Sequence, residues 1–203
     1  MKPQANPATC IAWRHPRPVG AEGRCIGRTD LAVDRRKAKR LAHRIRQAAR
    51  AQGWPREVYT APLARCAQVG RQLKQWGWRH HIDAALLEMD FGRWDGQAWS
   101  HISQGEVDTW CAHFLDHAPG GGEPLRALFA RVATWRAQTS APASVHISGN
   151  HADQQPRPVV AHAGWMLAHR WLDTHATLPD TAEQWPAPPP YGTPWQMVAD
   201  HGR

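Results

Sequence analysis

Residues 10–15 read Cys-Ile-Ala-Trp-Arg-His, and residues 158–162 read Pro-Val-Val-Ala-His. Each is a short apolar run that ends on a histidine. Such a run predicts a buried strand of an α/β sheet, and these sheets bind ligands at the carboxyl ends of their strands. An imidazole is one of the few side chains that can act as a nucleophile near neutral pH, so His15 beside Arg14 indicates attack on an anionic centre. The apolar runs alone leave a second interpretation open, in which His15 and His162 are buried, hydrogen-bonded structural residues.

The composition of the chain sets the class of protein. With 203 residues, of which 42% are hydrophobic, the chain can bury one sizeable core, and we expect a single domain over residues 1–203. No apolar stretch reaches the roughly 20 residues that span a bilayer, and the N-terminus lacks the apolar segment of a signal peptide. We therefore expect a cytoplasmic protein with no membrane partner. Scattered cysteines without a CxxC pair favour reduced thiols over a zinc site, and no metal is expected.

The net charge of +8 comes mostly from arginine, and much of it falls between residues 35 and 50. Apolar residues recur there at helical spacing, which predicts an amphipathic helix with a basic outer face. Such a face is usually solvated surface, although it can draw anionic substrates toward a nearby site. Nucleic-acid binding needs a further motif that the sequence lacks, so it remains a minor alternative and we expect no nucleic-acid partner.

The order of elements predicts an α/β fold of three layers, α/β/α, with a mainly parallel central sheet covered on both faces. Strands are expected near residues 9–13, 57–60 and 158–161. Helices are expected near residues 35–52, 62–76, 99–103, 106–115, 125–135 and 165–172, with Pro62 in the first turn of the second. Residues 140–158 are expected to form a polar loop, with a candidate short strand at residues 144–147. Residues 185–203 are expected to form an extended C-terminal wrap, with a candidate strand near Met197.

Cationic, imidazole and carboxyl side chains are predicted to lie together at the carboxyl edge of the sheet. Arg14 and Arg65 supply planar guanidinium groups that suit two oxygens of a phosphoryl group, while His15 and His162 supply imidazoles. Arg65 falls in the first turn of a helix, where a cation is disfavoured unless an anion binds there. Glu88, in an acidic and aromatic loop punctuated by glycine, supplies a carboxyl group.

This set resembles the histidine phosphatase superfamily, which has the phosphoglycerate-mutase-like fold. Five segments match its motifs in family order: residues 13–15 (WRH), 23–31 (GRCIGRTDL), 60–68 (TAPLARCAQ), 87–96 (LEMDFGRWDG) and 159–164 (VVAHAG). Within the superfamily, the second and fourth segments and the later turn PGGGE at residues 119–123 are most similar to α-ribazole phosphatase and its bacterial relatives. Substrate choice varies within one fold, so the substrate does not follow from the fold.

The resemblance implies a phosphomonoesterase that works through a phosphohistidine and needs no cofactor or metal. Its catalytic residues would be His15, Glu88 and His162, and its phosphate-binding residues Arg14, Arg65 and His162. Glu88, held protonated, would donate to the leaving group and then act as a base toward water. For Arg28 two interpretations stay open, a substrate or phosphate contact at the pocket mouth and a structural contact.

The expected partner is a small phosphorylated metabolite, a nucleoside-like monophosphate such as α-ribazole 5′-phosphate, and the expected assembly is a monomer or a homodimer. The alternatives are a broad-specificity sugar or metabolite phosphatase, a phosphoglycerate mutase, and a pseudoenzyme that only binds phospholigands. One departure from the family stands next to the first histidine, where Pro16 replaces the usual glycine. Proline fixes φ and removes a backbone donor, so the loop after His15 is expected to run differently from the common form.

Overall fold

Five strands form one sheet in this computed structural model, which describes residues 8–140 and 156–198. The strands are β1 (Ala8–Arg14), β2 (Glu57–Thr60), β3 (Arg79–Ile82), β4 (Arg157–Ala161) and β5 (Pro194–Val198). Their spatial order is β3-β2-β4-β1-β5. All neighbouring pairs are parallel except β1 and β5, which are antiparallel.

Within the described part of the chain, five α-helices cover this sheet. They are α1 (Arg35–Gln52), α2 (Ala64–Gln75), α3 (Gln104–Ala112), α4 (Leu125–Ser140) and α5 (Ala163–Thr174). Helix α1 packs on α2, and α4 packs on α5. From β1 the chain runs through α1 and α2 toward the β3 edge of the sheet, and it returns through α4 to β4. Crossovers between parallel strands are right-handed, so the two opposite directions of travel place the two helix pairs on opposite faces of the sheet. The predicted three-layer α/β/α fold with a mainly parallel sheet is confirmed.

The central strands read as apolar runs because both of their faces are covered. Ala12 in β1 and Val159, Val160 and Ala161 in β4 are fully buried. The basic helix is also confirmed: the Asp34 side chain caps α1 by accepting the N–H groups of Arg36 and Lys37, and Gly53 ends the helix in the left-handed conformation. The apolar residues of α1 face inward, which leaves its arginines and lysines outside.

Some boundaries differ from the sequence-based expectation. Pro62 is not in the first turn of α2, because Leu63 is extended and serves as the N-cap. Strand β3 was not predicted, and the apolar stretch after it becomes a short 3-10 turn, Ala84–Leu86. The helical segment near residues 99–103 is likewise a 3-10 turn, and α3 ends at Ala112 rather than near residue 115. The strand near Met197 is present as β5.

Most of the predicted polar loop, including the candidate strand at residues 144–147, lies outside the described residues. Strand β4 begins within the predicted loop, at Arg157. Across residues 8–140 and 156–198, no helix combines the length and apolar character needed to cross a bilayer.

Candidate active site

The two histidines meet where β1 and β4 end. These strands run side by side with Arg14 opposite Ala161, so the next residue of each strand leaves the sheet at the same edge. The backbone N–H of His15 donates to the Ala161 carbonyl at 3.1 Å. The rings of His15 and His162 lie edge to face with their centroids 5.0 Å apart.

His15 is held as a neutral imidazole with a defined tautomer. Its Nδ1 lies 2.8 Å from the Pro16 carbonyl oxygen, and because a carbonyl only accepts, Nδ1 carries the proton. Nε2 is therefore the basic nitrogen. Burial, and then the charges of Arg65 and Arg14, lower the pKa of His15 to about 3, against the opposing hydrogen bond to Pro16. The ring is thus neutral at neutral pH, with Nε2 unprotonated, and the backbone carbonyl of Pro16, the residue that departs from the family motif, accepts the hydrogen bond that orients it.

Arg65 is buried, with only 1% of its surface exposed. It lies in the first turn of α2, where the Asp30 side chain accepts the N–H of Ala64 at 2.6 Å. Its Nη1 donates to the Thr29 carbonyl at 2.7 Å and its Nη2 to the Gly27 carbonyl at 2.5 Å. Arg65 therefore sits in a rigid backbone cradle formed by the glycine-rich segment after β1.

His162 lies behind Arg65 and is fully buried. Its Nδ1 accepts from Arg65 Nε at 3.3 Å, which leaves the ring proton on Nε2, 3.5 Å from Cys66 Sγ. Burial, and then the neighbouring His15 and Arg65, lower the pKa of His162 well below its usual value. His162 is therefore a neutral ring that contacts both the other histidine and the buried arginine.

The Glu88 side chain connects the acidic loop to the helix after the second histidine. It is buried, with 8% of its surface exposed. One oxygen, Oε1, accepts the N–H of Met89 at 3.0 Å, and the other, Oε2, accepts the N–H of Gly164 at 3.0 Å. A Cβ at position 164 would lie 2.3 Å from Glu88 Oε1, so only glycine leaves room for this contact.

Two residues that the sequence analysis did not single out hold the Glu88 loop in place. Arg131 of α4 donates to the carbonyls of Ala85 at 3.0 Å and Leu87 at 2.7 Å. It also pairs with Glu123 at 2.9 Å, and the Glu123 carboxylate accepts the N–H of Asp90. Glu123 ends the PGGGE motif, and this glutamate is the signal in the sequence that could have indicated the role.

Arg28 is placed on the acidic loop. Its guanidinium group pairs with Asp90 at 3.2 Å and Glu123 at 3.3 Å. The backbone around it is held by Asp95, which accepts the N–H groups of Gly27, Arg28 and Thr29. Arg28 Nε also donates to the Glu88 carbonyl at 3.4 Å, so in this structure Arg28 contacts the acidic loop and Glu123.

Arg14 is held by residues near the C-terminus. Its Nη1 donates to the Pro189 carbonyl at 2.6 Å, and its guanidinium carbon lies 3.8 Å from the centre of the Tyr191 ring. Its Nε is buried and has no hydrogen-bond partner among the described residues.

A cavity of about 440 Å³ joins these groups. Arg14, His15, Arg65 and Glu88 line this cavity, whereas His162 and Arg28 are absent from its lining. The walls are mostly apolar and aromatic and include Met89, Phe91, Trp110, Phe114, Trp185 and Tyr191. Arg24, which the sequence analysis did not select, adds one further cation.

The structure thus brings together all five residues expected at the sheet edge, with His162 one layer behind the cavity. An unprotonated imidazole nitrogen, two guanidinium groups and a carboxyl group around one cavity can attack and stabilise a phosphoryl group. Among the residues that the structure describes, no group of three or more His, Cys, Asp or Glu side chains could hold a metal ion.

Comparison with known proteins agrees with this geometry. The model of the histidine phosphatase superfamily (branch 1) matches residues 10–187, which is most of the chain. The protein belongs to this superfamily, and it is an enzyme of the phosphatase class. No relative was found among curated proteins.

Solved structures share the fold. A mycobacterial glucosyl-3-phosphoglycerate phosphatase superposes with a TM-score of 0.64 at 22% identity, covering 80% of this chain and 77% of that one. The protein TTHB049 from Thermus thermophilus superposes with a TM-score of 0.58 at 23% identity, covering 84% of this chain and 88% of that one. At these identities the likeness shows a common fold.

Proposed function

We propose that this protein hydrolyses small phosphomonoesters in two steps, through a phosphohistidine formed on His15. The observation that carries the proposal is that the His15 ring is neutral, has a fixed tautomer and faces the cavity. Its Nδ1 proton is tied to the Pro16 carbonyl, its pKa is lowered to about 3, and it lines the same cavity as Arg65 and Glu88. Nε2 is therefore an available nucleophile at neutral pH.

In the first step, His15 Nε2 attacks phosphorus, the N–P bond forms, and the bond to the leaving oxygen breaks. Arg65 has five N–H donors, of which Thr29, Gly27 and His162 use three. The remaining two, together with the Arg14 guanidinium group, can bind phosphoryl oxygens as negative charge spreads over them. His162 belongs to this set because it orients Arg65 and packs against His15.

Glu88 moves the protons. In our proposal it donates a proton to the leaving oxygen in the first step. As a carboxylate it then takes a proton from the water that attacks the phosphohistidine, the N–P bond breaks, and inorganic phosphate leaves. Each carboxylate oxygen accepts one backbone N–H bond and keeps a second lone pair, so this geometry leaves Glu88 able to exchange a proton.

The cavity walls support a nucleoside-like monophosphate, such as α-ribazole 5′-phosphate, as the substrate. A planar ring would pack against walls that include Phe91, Trp110 and Trp185. A glucosyl group would bring more hydroxyl groups to the same walls than the ribose of a nucleoside does, and each hydroxyl buried without a partner costs about 1–3 kcal/mol. The aromatic lining therefore favours a ring-bearing leaving group over a polyhydroxylated one such as glucosyl-3-phosphoglycerate.

The test is phosphate release from a panel containing an aryl phosphate, α-ribazole 5′-phosphate and glucosyl-3-phosphoglycerate. We expect turnover with the first two that is lost in His15→Ala and kept in His175→Ala, which removes an exposed histidine outside the cavity. An acid-labile phosphoenzyme should form only when His15 is present. Phosphate binding without turnover on any ester would instead indicate a binding protein, and exchange between phosphoglycerates without phosphate release would indicate a mutase.

A further inference from the structure

The last segment before β5 wraps over the proposed phosphoryl site. We call residues 185–193 the strap. The strap is attached to β1 by its backbone: the N–H of Gly192 donates to the Arg14 carbonyl at 2.9 Å, and the N–H of Arg14 donates to the Thr193 carbonyl at 3.3 Å. Tyr191 is thereby held beside the two residues that end the first strand motif.

The Tyr191 ring contacts both of these residues. The guanidinium carbon of Arg14 lies 3.8 Å from the ring centre, the distance of a close cation–π contact. The His15 ring lies on the same tyrosine, with the centroids 5.5 Å apart and the planes 53° apart. The Tyr191 hydroxyl makes no hydrogen bond to another described residue, so the side chain contacts Arg14 and His15 through its ring.

Arg14 needs such a support because it lacks the backbone cradle of Arg65. A long, flexible side chain must be immobilised before its donors can meet a ligand in a fixed direction. The face of Tyr191 and the Pro189 carbonyl, 2.6 Å from Nη1, hold the guanidinium group from the strap side. Arg14 held in this way lines the cavity.

We propose that Tyr191 is a positioning residue, whose ring holds the Arg14 guanidinium group at the cavity so that this group can bind a phosphoryl oxygen. This inference rests on the proposed function for the identity of the ligand, a phosphoryl group. The same ring covers one side of His15 and keeps bulk water from that face of the nucleophile.

The test compares Tyr191→Leu, which removes the ring, with Tyr191→Phe, which keeps it. The matched control is Trp195→Leu, because Trp195 also stacks under an arginine of the C-terminal part, Arg170 at 4.7 Å, but does not line the cavity. We expect Tyr191→Leu to weaken binding of inorganic phosphate about 10-fold and to lower kcat/KM for an aryl phosphate by at least as much. Tyr191→Phe and Trp195→Leu should stay within about twofold of the parent protein.

A double-mutant cycle separates positioning from general support of the fold. In an Arg14→Ala background, Tyr191→Leu should cause no further loss of phosphate binding, since the residue it positions is gone. Arg14→Lys provides a second background, which keeps the charge but lacks the planar group. An equal loss from Tyr191→Leu with and without Arg14, or a comparable loss from Trp195→Leu, would overturn the proposal.

Phosphate binding also keeps the two proposals apart. A parent protein that binds phosphate but turns over no ester contradicts the proposed function, while the binding cycle still measures the role of Tyr191. A Tyr191→Leu variant that binds phosphate as the parent does contradicts the positioning role, whatever the turnover.

Discussion

The carboxylate of Glu88 accepts the backbone N–H of Gly164 at 3.0 Å, which connects the acidic loop to the first turn of α5. This contact places the carboxyl group at the N-terminus of a helix that begins just after His162. The position of the carboxyl group and the position of the second histidine are therefore set by the same helix terminus, and a change in one is expected to disturb the other.

Gly164→Ala should displace Glu88 and reduce turnover. The new Cβ would lie 2.3 Å from Glu88 Oε1, so the carboxylate has to move. We expect kcat for a phosphomonoester to fall by about 10²-fold, the scale on which acid–base catalysis contributes, and overpacking to lower the free energy of unfolding by about 1–3 kcal/mol. Steady-state kinetics and urea unfolding measure the two effects.

Gly105→Ala is the matched control for this substitution. Gly105 is also the second residue of its helix, α3, and a Cβ there would meet nothing within 4 Å. Since alanine favours helix by about 0.5–1 kcal/mol over glycine, this variant should be as stable as the parent or more so, with unchanged kcat. If Gly164→Ala behaved in the same way, the close packing of Glu88 on α5 would be wrong.

Arg131→Met should loosen the Glu88 loop and destabilise the fold. The ion pair of Arg131 with Glu123 is mostly buried, with side-chain exposures of 19% and 13%. Breaking a buried pair leaves an uncompensated charge and costs about 3–5 kcal/mol. We expect urea unfolding to show a loss near the lower end of that range, together with a fall in kcat as the loop carbonyls lose their donor.

Arg126→Met tests whether burial causes that loss. Arg126 also lies on α4 and pairs with Asp116, but their side chains are 55% and 67% exposed. An exposed pair contributes about 0–1 kcal/mol, so this variant should unfold almost as the parent does. An equal loss in the free energy of unfolding in the two variants would contradict the conclusion that burial makes the Arg131–Glu123 ion pair important for stability.

The sequence could predict those helices and strands whose apolar residues recur at a regular spacing within one segment. Apolar residues at helical spacing indicate α1, and apolar runs indicate β1 and β4, because each of these elements buries a periodic surface. Strand β3 escaped prediction because it is an edge strand whose residues are mostly exposed, Ile82 to 57%, so no apolar pattern marks it. Local patterns therefore identify buried elements more readily than edge elements.

The placement of a candidate site residue could be predicted where the residue directly follows a strand or lies in the first turn of a helix, as is the case for His15, His162 and Arg65. Contacts between segments that are distant in the sequence could not be predicted. Tyr191 reaches Arg14 across 177 positions of the chain, a pairing created only when β5 joins β1. Arg28 has the charge of a phosphate ligand, but two nearby carboxylates bind it, and only the folded arrangement of the loops reveals that.

The fold should lose stability in acid because it buries neutral histidines. The pKa of His15 falls to about 3 on burial, and that of His80 to about 4, whereas an unfolded histidine titrates near 6.5. Below about pH 6.5 the unfolded chain binds more protons than the folded one, so the free energy of unfolding should fall as the pH drops from about 6.5 toward 4. Above that range these groups contribute no pH dependence.

Urea unfolding at a series of pH values checks this sign. His15→Gln removes one of the groups and should flatten the slope of stability against pH between about 6.5 and 4. A variant whose stability falls as steeply as that of the parent would show that His15 is not buried in its neutral form.

Glu88→Gln should separate the two chemical steps that we propose. The amide cannot donate a carboxylic proton or accept one from water, and such acid–base catalysis typically contributes about 10²- to 10⁴-fold. An aryl oxide leaves without much help, whereas an alkoxide needs the proton. The first step should therefore suffer less with an aryl phosphate than with an alkyl phosphate, while hydrolysis of the phosphohistidine should suffer with both.

Rapid mixing of Glu88→Gln with an aryl phosphate should consequently give a burst of released phenol, followed by slow turnover and accumulation of an acid-labile phosphoenzyme. With an alkyl phosphate the same variant should show no burst, because bond breaking itself becomes slow. Glu183→Gln, an exposed glutamate outside the cavity lining, serves as the control and should match the parent. Equal losses for both leaving groups, with no accumulated phosphoenzyme, would assign the proton transfers to a group other than Glu88.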